Sequence, residues 1–177
     1  MSIIKVHDRN FEPFIPAKQI EERVSVIAQQ ITQAYQGKNP LFLAVLNGAF
    51  ILAADLFRKI SFQSEISFAK ISSYSGTSTT ETIKQLIGFS ESIEGRHIII
   101  VEDIIDTGLS MQHVLKQVHA HKPASVKVLT LLLKPKALKV DIKPDYVGFE
   151  IEPKFVLGYG LDYDGLGRNL PDIYAEV

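Results

Sequence analysis

The sequence predicts an α/β fold, in which a mainly parallel, twisted sheet is flanked by helices. Three apolar runs support this prediction, at residues 41–46, 98–101 and 126–133. Each run is short, continuous and rich in aliphatic residues, which is typical of strands buried on both faces. The first two runs are each followed by a polar turn and then by apolar residues at helical spacing. This alternation favours parallel strands joined by helical crossovers.

The N-terminal third contains an arm and two predicted helices around the first strand. Residues 1–14 are mixed in character, and we expect a surface arm there. Pro16 suits the first turn of a helix, and apolar residues then recur at helical spacing until Gly37 ends the pattern. After the strand at 41–46, a second helix is predicted over residues 49–60.

Four further strands complete the predicted fold. Residues 65–74 and 83–89 have the composition of two neighbouring strands, and residues 145–151 and 155–161 form another short pair. The polar, hydroxyl-rich segment 75–82 lies between the first two. It is either an exposed hairpin loop or a mobile lid over a ligand.

The stretch 97–111 combines a strand, two carboxylates and a glycine-bearing loop that opens a helix. Loop 106–110 offers unpaired N–H groups at a helix N-terminus, which suits a phosphate. Glu102 and Asp103 would repel that phosphate, but they suit ribose hydroxyls or a hydrated Mg²⁺. The stretch therefore predicts a site for a ribose 5-phosphate. A plain connection with an Asp or Thr N-cap is the alternative, and it leaves the two carboxylates unexplained.

Residues 101–110 (VEDIIDTGLS) resemble the phosphoribosyl-pyrophosphate signature of the type I phosphoribosyltransferases. The doubled acid and doubled isoleucine resemble the 6-oxopurine branch of that family. Residues 46–50 (LNGAF) look like its pyrophosphate loop, and residues 158–163 (GYGLDY) match its C-terminal region. The resemblance covers roughly residues 40–174, with five separated motifs in the expected order.

The resemblance implies one phosphoribosyltransferase domain over residues 1–177. Its core would span about 38–140, and a small hood would combine about 1–15 with the C-terminal strands in 141–177. It also implies transfer of the phosphoribosyl group to N9 of hypoxanthine, and of guanine as a second substrate. Two alternatives stay open, namely an enzyme that prefers xanthine or guanine and a non-catalytic regulator that senses phosphoribosyl pyrophosphate.

The resemblance also assigns site residues. Asp106 would be the catalytic acid/base, reaching N7 of the purine. Phosphoribosyl pyrophosphate would be bound through its ribose and 5-phosphate by Glu102, Asp103, Asp106, Thr107, Gly108, Leu109 and Ser110. The leaving pyrophosphate would be bound by Asn47, Gly48 and Arg168. The lid would carry Ser73 and Tyr74.

The purine and the metal complete these assignments. The base would be bound by Lys134, Phe155, Val156 and Asp162. The implied cofactor is Mg²⁺, with Glu102, Asp103 and Asp162 as its ligands. One departure stands out, because Asn47 occupies the position where the family usually has a lysine. Without that cation, pyrophosphate would depend more on backbone N–H groups and on Mg²⁺.

Composition excludes several classes of protein. The 177 residues carry 19 basic and 20 acidic side chains, so the net charge of −1 gives no basic field for nucleic acid. The chain has no cysteine, which excludes disulfides and thiolate metal sites. No apolar run approaches the roughly 20 residues of a membrane span. We therefore expect a cytoplasmic protein. The family resemblance implies a homodimer or homotetramer.

Overall fold

The computed structural model describes residues 2–74, 82–87 and 92–177 of the chain. Three α-helices and ten strands lie within those residues. In chain order they are β1 (Ile4–Val6), β2 (Arg9–Ile15), α1 (Ala17–Tyr35), β3 (Leu41–Leu46), α2 (Phe50–Phe57), β4 (Glu65–Tyr74), β5 (Thr82–Ile87), β6 (His97–Ile105), α3 (Leu109–Ala120), β7 (Ser125–Leu133), β8 (Tyr146–Glu150), β9 (Val156–Leu157) and β10 (Ile173–Glu176).

The main sheet confirms the predicted α/β class. Its six strands lie in the order β5-β4-β3-β6-β7-β8. All neighbouring pairs are parallel except β4 with β5, which is antiparallel at one edge. The central strands β3 and β6 thus end at the same edge of the sheet, and open α/β sheets bind ligands at that edge.

The sheet is covered on both faces, which explains why its central strands are apolar throughout. One face packs against α1 and α2 in a cluster that includes Phe42, Ile99 and Leu131. The opposite face packs against α3 in a cluster that includes Leu43 and Ile100. Successive residues of one strand therefore pack into different hydrophobic cores. Because both faces of the sheet are buried, these strands lack the alternation of apolar and polar residues that is typical of a strand with one exposed face.

Strand β6 is longer than the apolar run predicted. Its parallel pairing with β7 continues beyond Val101, with Glu102 opposite Thr130 and Ile105 opposite Leu133. Glu102 and Asp103 therefore lie inside the strand rather than after it, which corrects the expectation that the strand ends before them. Backbone pairing with β7 holds the acidic pair in a rigid element.

The predicted surface arm is a strand hairpin that belongs to the hood. Strands β1, β2, β10 and β9 form a second, antiparallel sheet in that order. Phe11 of β2 is fully buried, and it packs with Leu157 and Tyr174 in a small core of its own. The pairing of β2 with β10 joins the two ends of the chain, as the hood prediction requires.

The predicted strand over residues 155–161 is wrong beyond Leu157. Gly158 and Gly160 have φ values of +103° and +101°, and Tyr159 between them has φ +48°. These left-handed conformations turn the chain sharply, and glycine adopts them at no steric cost. The turn carries residue 160 back toward the main sheet.

The predicted lid lies mostly outside the described residues, because its residues 75–81 are among those not covered. Ser73 and Tyr74 lie at the end of β4, where their backbone pairs with Ile83 and Thr82 of β5. Within the described part of the chain, no helix combines the length and the apolar character that a membrane span needs.

Candidate active site

The acidic pair lies at the carboxyl end of the central strand and is largely withdrawn from water. Glu102 is 8% exposed. Burial, together with the neighbouring Asp103 carboxylate, raises the pKa of Glu102 well above its ordinary value. Burial also raises the pKa of Asp103, although its hydrogen bonds, including one from the Ile104 N–H at 2.9 Å, act in the opposite direction. A buried carboxylate next to a partly buried one favours a proton or a cation between them.

The loop after β3 packs directly on this pair. The Leu46–Asn47 peptide bond is cis, and the next residue is Gly48. A Cβ atom added to Gly48 would overlap the Asp103 carboxylate. A Cβ atom added to Gly160 would overlap the Gly48 carbonyl oxygen. The segments that contain Gly48, Asp103 and Gly160 therefore lie in close contact. Only glycine fits at positions 48 and 160, because a Cβ atom at either would overlap a neighbouring group.

Arg168 lies beside the same three segments. Its Nη1 donates to the Gly160 carbonyl at 2.7 Å, and its Nη2 lies 2.7 Å from Asp162 Oδ1. The positive charge of Arg168 also reaches Asp103, where it acts to lower the pKa against the effect of burial. The guanidinium is thus positioned next to the Gly48 loop, where an anionic group between them would find a donor.

Asp162 does not join the acidic pair in the structure. Its second carboxylate oxygen accepts a hydrogen bond from the Gly165 N–H at 2.7 Å. Among the residues that the model describes, no three acidic or histidine side chains come together as a metal site. Glu102, which is buried, and Asp103, which is partly buried, offer adjacent hard oxygen donors, and this donor set fits Mg²⁺, which commonly uses one or two carboxylates plus substrate oxygens.

The loop after β6 forms a small cavity at the start of α3. The cavity measures about 100 Å³, and its lining includes Glu102, Asp106, Thr107, Gly108 and Ser110. Gly108 is the N-cap residue of α3 with φ +81°, and no side chain caps the helix. This contradicts the Asp or Thr N-cap alternative. The first N–H groups of the helix are left without a capping side chain, as an anion site requires.

Gly108 also fixes the back of this loop. A Cβ atom added there would lie 2.7 Å from a methyl group of Val140, and the Lys139 N–H donates to the Thr107 carbonyl at 2.9 Å. The segment after β7 therefore supports the loop from behind. Leu109, predicted as part of the phosphate loop, is the first residue of α3 and directly follows Gly108.

Lys134 and Asp106 form an ion pair at the ends of two neighbouring strands. Lys134 Nζ lies 2.5 Å from Asp106 Oδ2, and the two side chains are 8% and 47% exposed. The Lys134 N–H donates to the Ile105 carbonyl at 3.0 Å, which fixes the backbone next to the loop. A nearly buried ammonium and a half-exposed carboxylate thus point at each other beside the phosphate cavity. The Lys134 ammonium can donate a hydrogen bond to an oxygen of a base, and the Asp106 carboxylate can accept one from a protonated ring nitrogen.

The predicted base-stacking residue lies in the hood. Phe155 is 37% exposed, so its ring is partly available, whereas Val156 is buried and pairs with Ala175 of β10.

The sequence reasoning missed Gly160, whose close approach to Gly48 positions the C-terminal segment. The repeated glycine in Gly-Tyr-Gly was the available signal, because close backbone contacts favour that residue.

Comparisons with known proteins agree with this arrangement. The model of the phosphoribosyl transferase domain family matches residues 16–164. A hypoxanthine-guanine phosphoribosyltransferase of Lactococcus lactis is 42% identical over 158 residues, covering 89% of this chain and 86% of that protein. A hypoxanthine-guanine-xanthine phosphoribosyltransferase of Tritrichomonas foetus is 42% identical over 155 residues, covering 87% and 85% of the two chains.

A solved structure gives the same result for the fold. The crystal structure of a hypoxanthine-guanine phosphoribosyltransferase from Bacillus anthracis superposes with a TM-score of 0.87 at 40% identity, covering 94% of this chain and 96% of that one. The family match spans most of the chain, and these relatives align over nearly its full length. The chain belongs to the phosphoribosyltransferase family.

Proposed function

We propose that this protein is a purine salvage enzyme. It transfers the 5-phosphoribosyl group from phosphoribosyl pyrophosphate to N9 of hypoxanthine, and of guanine as a second substrate. The products are inosine or guanosine monophosphate and pyrophosphate. The observation that carries the proposal is the meeting, at one sheet edge, of an uncapped helix N-terminus, a buried acidic pair and the Lys134–Asp106 ion pair.

The ribose 5-phosphate end of the substrate would occupy the cavity at the start of α3. The backbone N–H groups of residues 107–110 and the Thr107 and Ser110 hydroxyls would bind the phosphate. Glu102 and Asp103 would hold the ribose hydroxyls, directly or with Mg²⁺ between them. Bound Mg²⁺ supplies positive charge that neutralises the two carboxylates and the diphosphate.

The leaving pyrophosphate would lie between the Gly48 loop and Arg168. Backbone N–H groups near Asn47 and the planar guanidinium of Arg168 match phosphate oxygens. Arg168 would pair with pyrophosphate beside its ion pair with Asp162, and Asp162 is the third residue that would hold Mg²⁺. Since Asn47 carries no charge, Arg168 is the cation of this subsite.

The base would insert beside the Lys134–Asp106 pair. Lys134 would donate to the 6-oxo oxygen, and Asp106 would take the proton from N7 while N9 forms its bond to C1′ of the ribose. The bond from C1′ to the pyrophosphate oxygen breaks in the same step. Phe155 would stack on the purine, and Val156 would meet its edge through the backbone. Ser73 and Tyr74 would help to exclude water, which competes for the ribosyl centre.

The order of preference among hypoxanthine, guanine and xanthine is not determined by these residues. Lys134 selects an oxygen at position 6 and leaves position 2 undetermined, and one relative carries xanthine in its name. The regulator alternative is less favoured, because the net charge of −1 offers no basic face for nucleic acid.

The test is pyrophosphate release with Mg²⁺ and phosphoribosyl pyrophosphate, with hypoxanthine, guanine, xanthine and adenine offered separately. We expect turnover with hypoxanthine and guanine and none with adenine, whose 6-amino group cannot accept from Lys134. Asp106→Asn should lower kcat while largely sparing the affinity for phosphoribosyl pyrophosphate. Near-normal turnover in that variant would remove Asp106 from the acid/base role.

A homodimer or homotetramer is part of the proposal. Two large apolar side chains support it, because Phe50 at the start of α2 and Phe68 of β4 are 43% and 40% exposed. Light scattering of the purified protein at several concentrations would measure the assembly, and a monomer at every concentration would contradict it.

A further inference from the structure

Phe155 contacts a group of hood side chains that have no role in the proposed reaction. The ring meets Tyr163 edge-on, with centroids 5.5 Å apart and an interplanar angle of 78°. Phe11 lies behind both rings, with its centroid 6.1 Å from that of Phe155. The guanidinium carbon of Arg9 lies 5.4 Å from the Phe155 centroid and 4.8 Å from the Tyr163 centroid. One cation thus contacts two perpendicular rings.

Arg9 is itself held in place by the C-terminal strand. Its Nη1 lies 3.2 Å from the Glu176 carboxylate, across the two ends of the chain. The Tyr163 hydroxyl donates to Asp8 Oδ1 at 2.7 Å, so the second ring is also fixed by the hairpin. Because a guanidinium stays charged at every working pH, its attraction to the ring faces persists throughout.

We propose that Arg9 is a positioning residue for purine binding, which acts by holding the Phe155 ring in the orientation that stacks on the base. This inference rests on the proposed function, in which Phe155 binds the purine. All the ring and cation contacts observed for Phe155 within the described part of the chain come from hood residues, and 37% of the side chain is still exposed. The backing therefore leaves part of the ring free for a ligand.

The position of Arg9 distinguishes this role from general support of the hood. The hood core is built by apolar side chains such as Phe11 and Leu157. The Arg9 side chain is 40% exposed, and Arg9 is not one of the residues that form that core. Its removal should therefore affect the ring it contacts more than the stability of the fold.

The test compares Arg9→Met with wild type in steady-state kinetics, varying hypoxanthine and phosphoribosyl pyrophosphate separately. Arg9→Met keeps the bulk of the side chain and removes the charge. We expect the KM for hypoxanthine to rise about two- to fivefold, which is the size of a partly exposed cation–π contact. The KM for phosphoribosyl pyrophosphate and the kcat should stay at wild-type values. Arg9→Lys, which keeps a cation without the planar face, should give an intermediate KM.

A matched control and a double variant sharpen the test. Lys5→Met removes an exposed cation from the same hairpin, away from the rings, and should leave every kinetic constant unchanged. In a Phe155→Leu background, Arg9→Met should add nothing, because the ring it positions is gone. Circular dichroism melting of each variant would measure whether the hood is intact.

The outcomes separate the inference from the proposed function. Wild-type protein without nucleotide synthesis would overturn the proposed function, and the inference with it. Wild-type turnover with an unchanged hypoxanthine KM in Arg9→Met would overturn the inference alone. A full Arg9→Met effect in the Phe155→Leu background would do the same, since Arg9 would then act through another group.

Discussion

The Lys134–Asp106 pair gives a prediction in which a second substitution restores stability without restoring activity. Asp106→Asn keeps the shape of the side chain and removes its charge. Lys134 is then a cation that is 8% exposed and has lost the carboxylate with which it forms an ion pair. Leaving a charge buried without its partner is costly, because the lost attraction no longer offsets its desolvation.

The magnitude follows from the exposure of the two side chains. Breaking a fully buried pair costs about 3–5 kcal/mol, whereas an exposed pair contributes at most about 1 kcal/mol. Since Asp106 is 47% exposed, we expect Asp106→Asn to lower the free energy of unfolding by about 1–3 kcal/mol. At about 2–4 °C for each kcal/mol in a domain of this size, Tm should fall by several degrees.

A second substitution, at Lys134, removes the cation that Asp106→Asn leaves without its ion-pair partner. Lys134→Met replaces the lysine with an apolar side chain of similar length, so its cost in stability should be small. Combined with Asp106→Asn, it should restore most of the lost Tm, although the double variant should stay inactive. Thermal melting and pyrophosphate release measure the two effects separately. A double variant with a lower Tm than Asp106→Asn alone would show that the unpaired Lys134 charge is not what destabilises the single variant.

Three further predictions concern other parts of the molecule. Gly48→Ala places a Cβ atom against the Asp103 carboxylate, and we expect kcat/KM to fall about a hundredfold or more, since small displacements of a site are costly. The raised pKa of Glu102 means that the folded state binds a proton more tightly than the unfolded chain. The contribution of Glu102 to stability is therefore greatest below its ordinary pKa of about 4.5 and falls as the pH rises from there toward the folded pKa. Glu102→Gln should accordingly raise Tm near neutral pH and lose that advantage in acid, and melting across pH checks it. Arg23→Met removes three hydrogen bonds of 2.5–3.2 Å to carbonyls of β8 and should lower the free energy of unfolding by about 1–3 kcal/mol with kcat unchanged.

The sheet and its main ligand edge could be predicted because their signals are local. The apolar runs in β3, β6 and β7 are continuous because helices cover both faces of the sheet. The loop at 106–110 also carries its chemistry within a few residues. Both the α/β class and the position of this loop at the start of a helix therefore follow from short stretches of sequence.

The rest depends on contacts between distant residues, which local patterns do not specify. The extension of β6 past Val101 is imposed by its ladder with β7. The N-terminal hairpin becomes part of the hood because β2 pairs with β10, about 160 residues away. The contact between Gly48 and Gly160 likewise requires the fold. Of these three features, the hood was implied by the family resemblance, and the glycines at 48 and 160 were the sequence signal for their contact.

The measurement that tests the central claim most directly is the identity and amount of the product. The protein would be incubated with Mg²⁺, phosphoribosyl pyrophosphate and hypoxanthine, and the nucleotide and pyrophosphate would be quantified by mass spectrometry and a coupled assay. We predict inosine monophosphate and pyrophosphate in equal amounts, and no nucleotide when adenine replaces hypoxanthine. Folded protein that forms no nucleotide, or that converts adenine as readily, would overturn the proposed function.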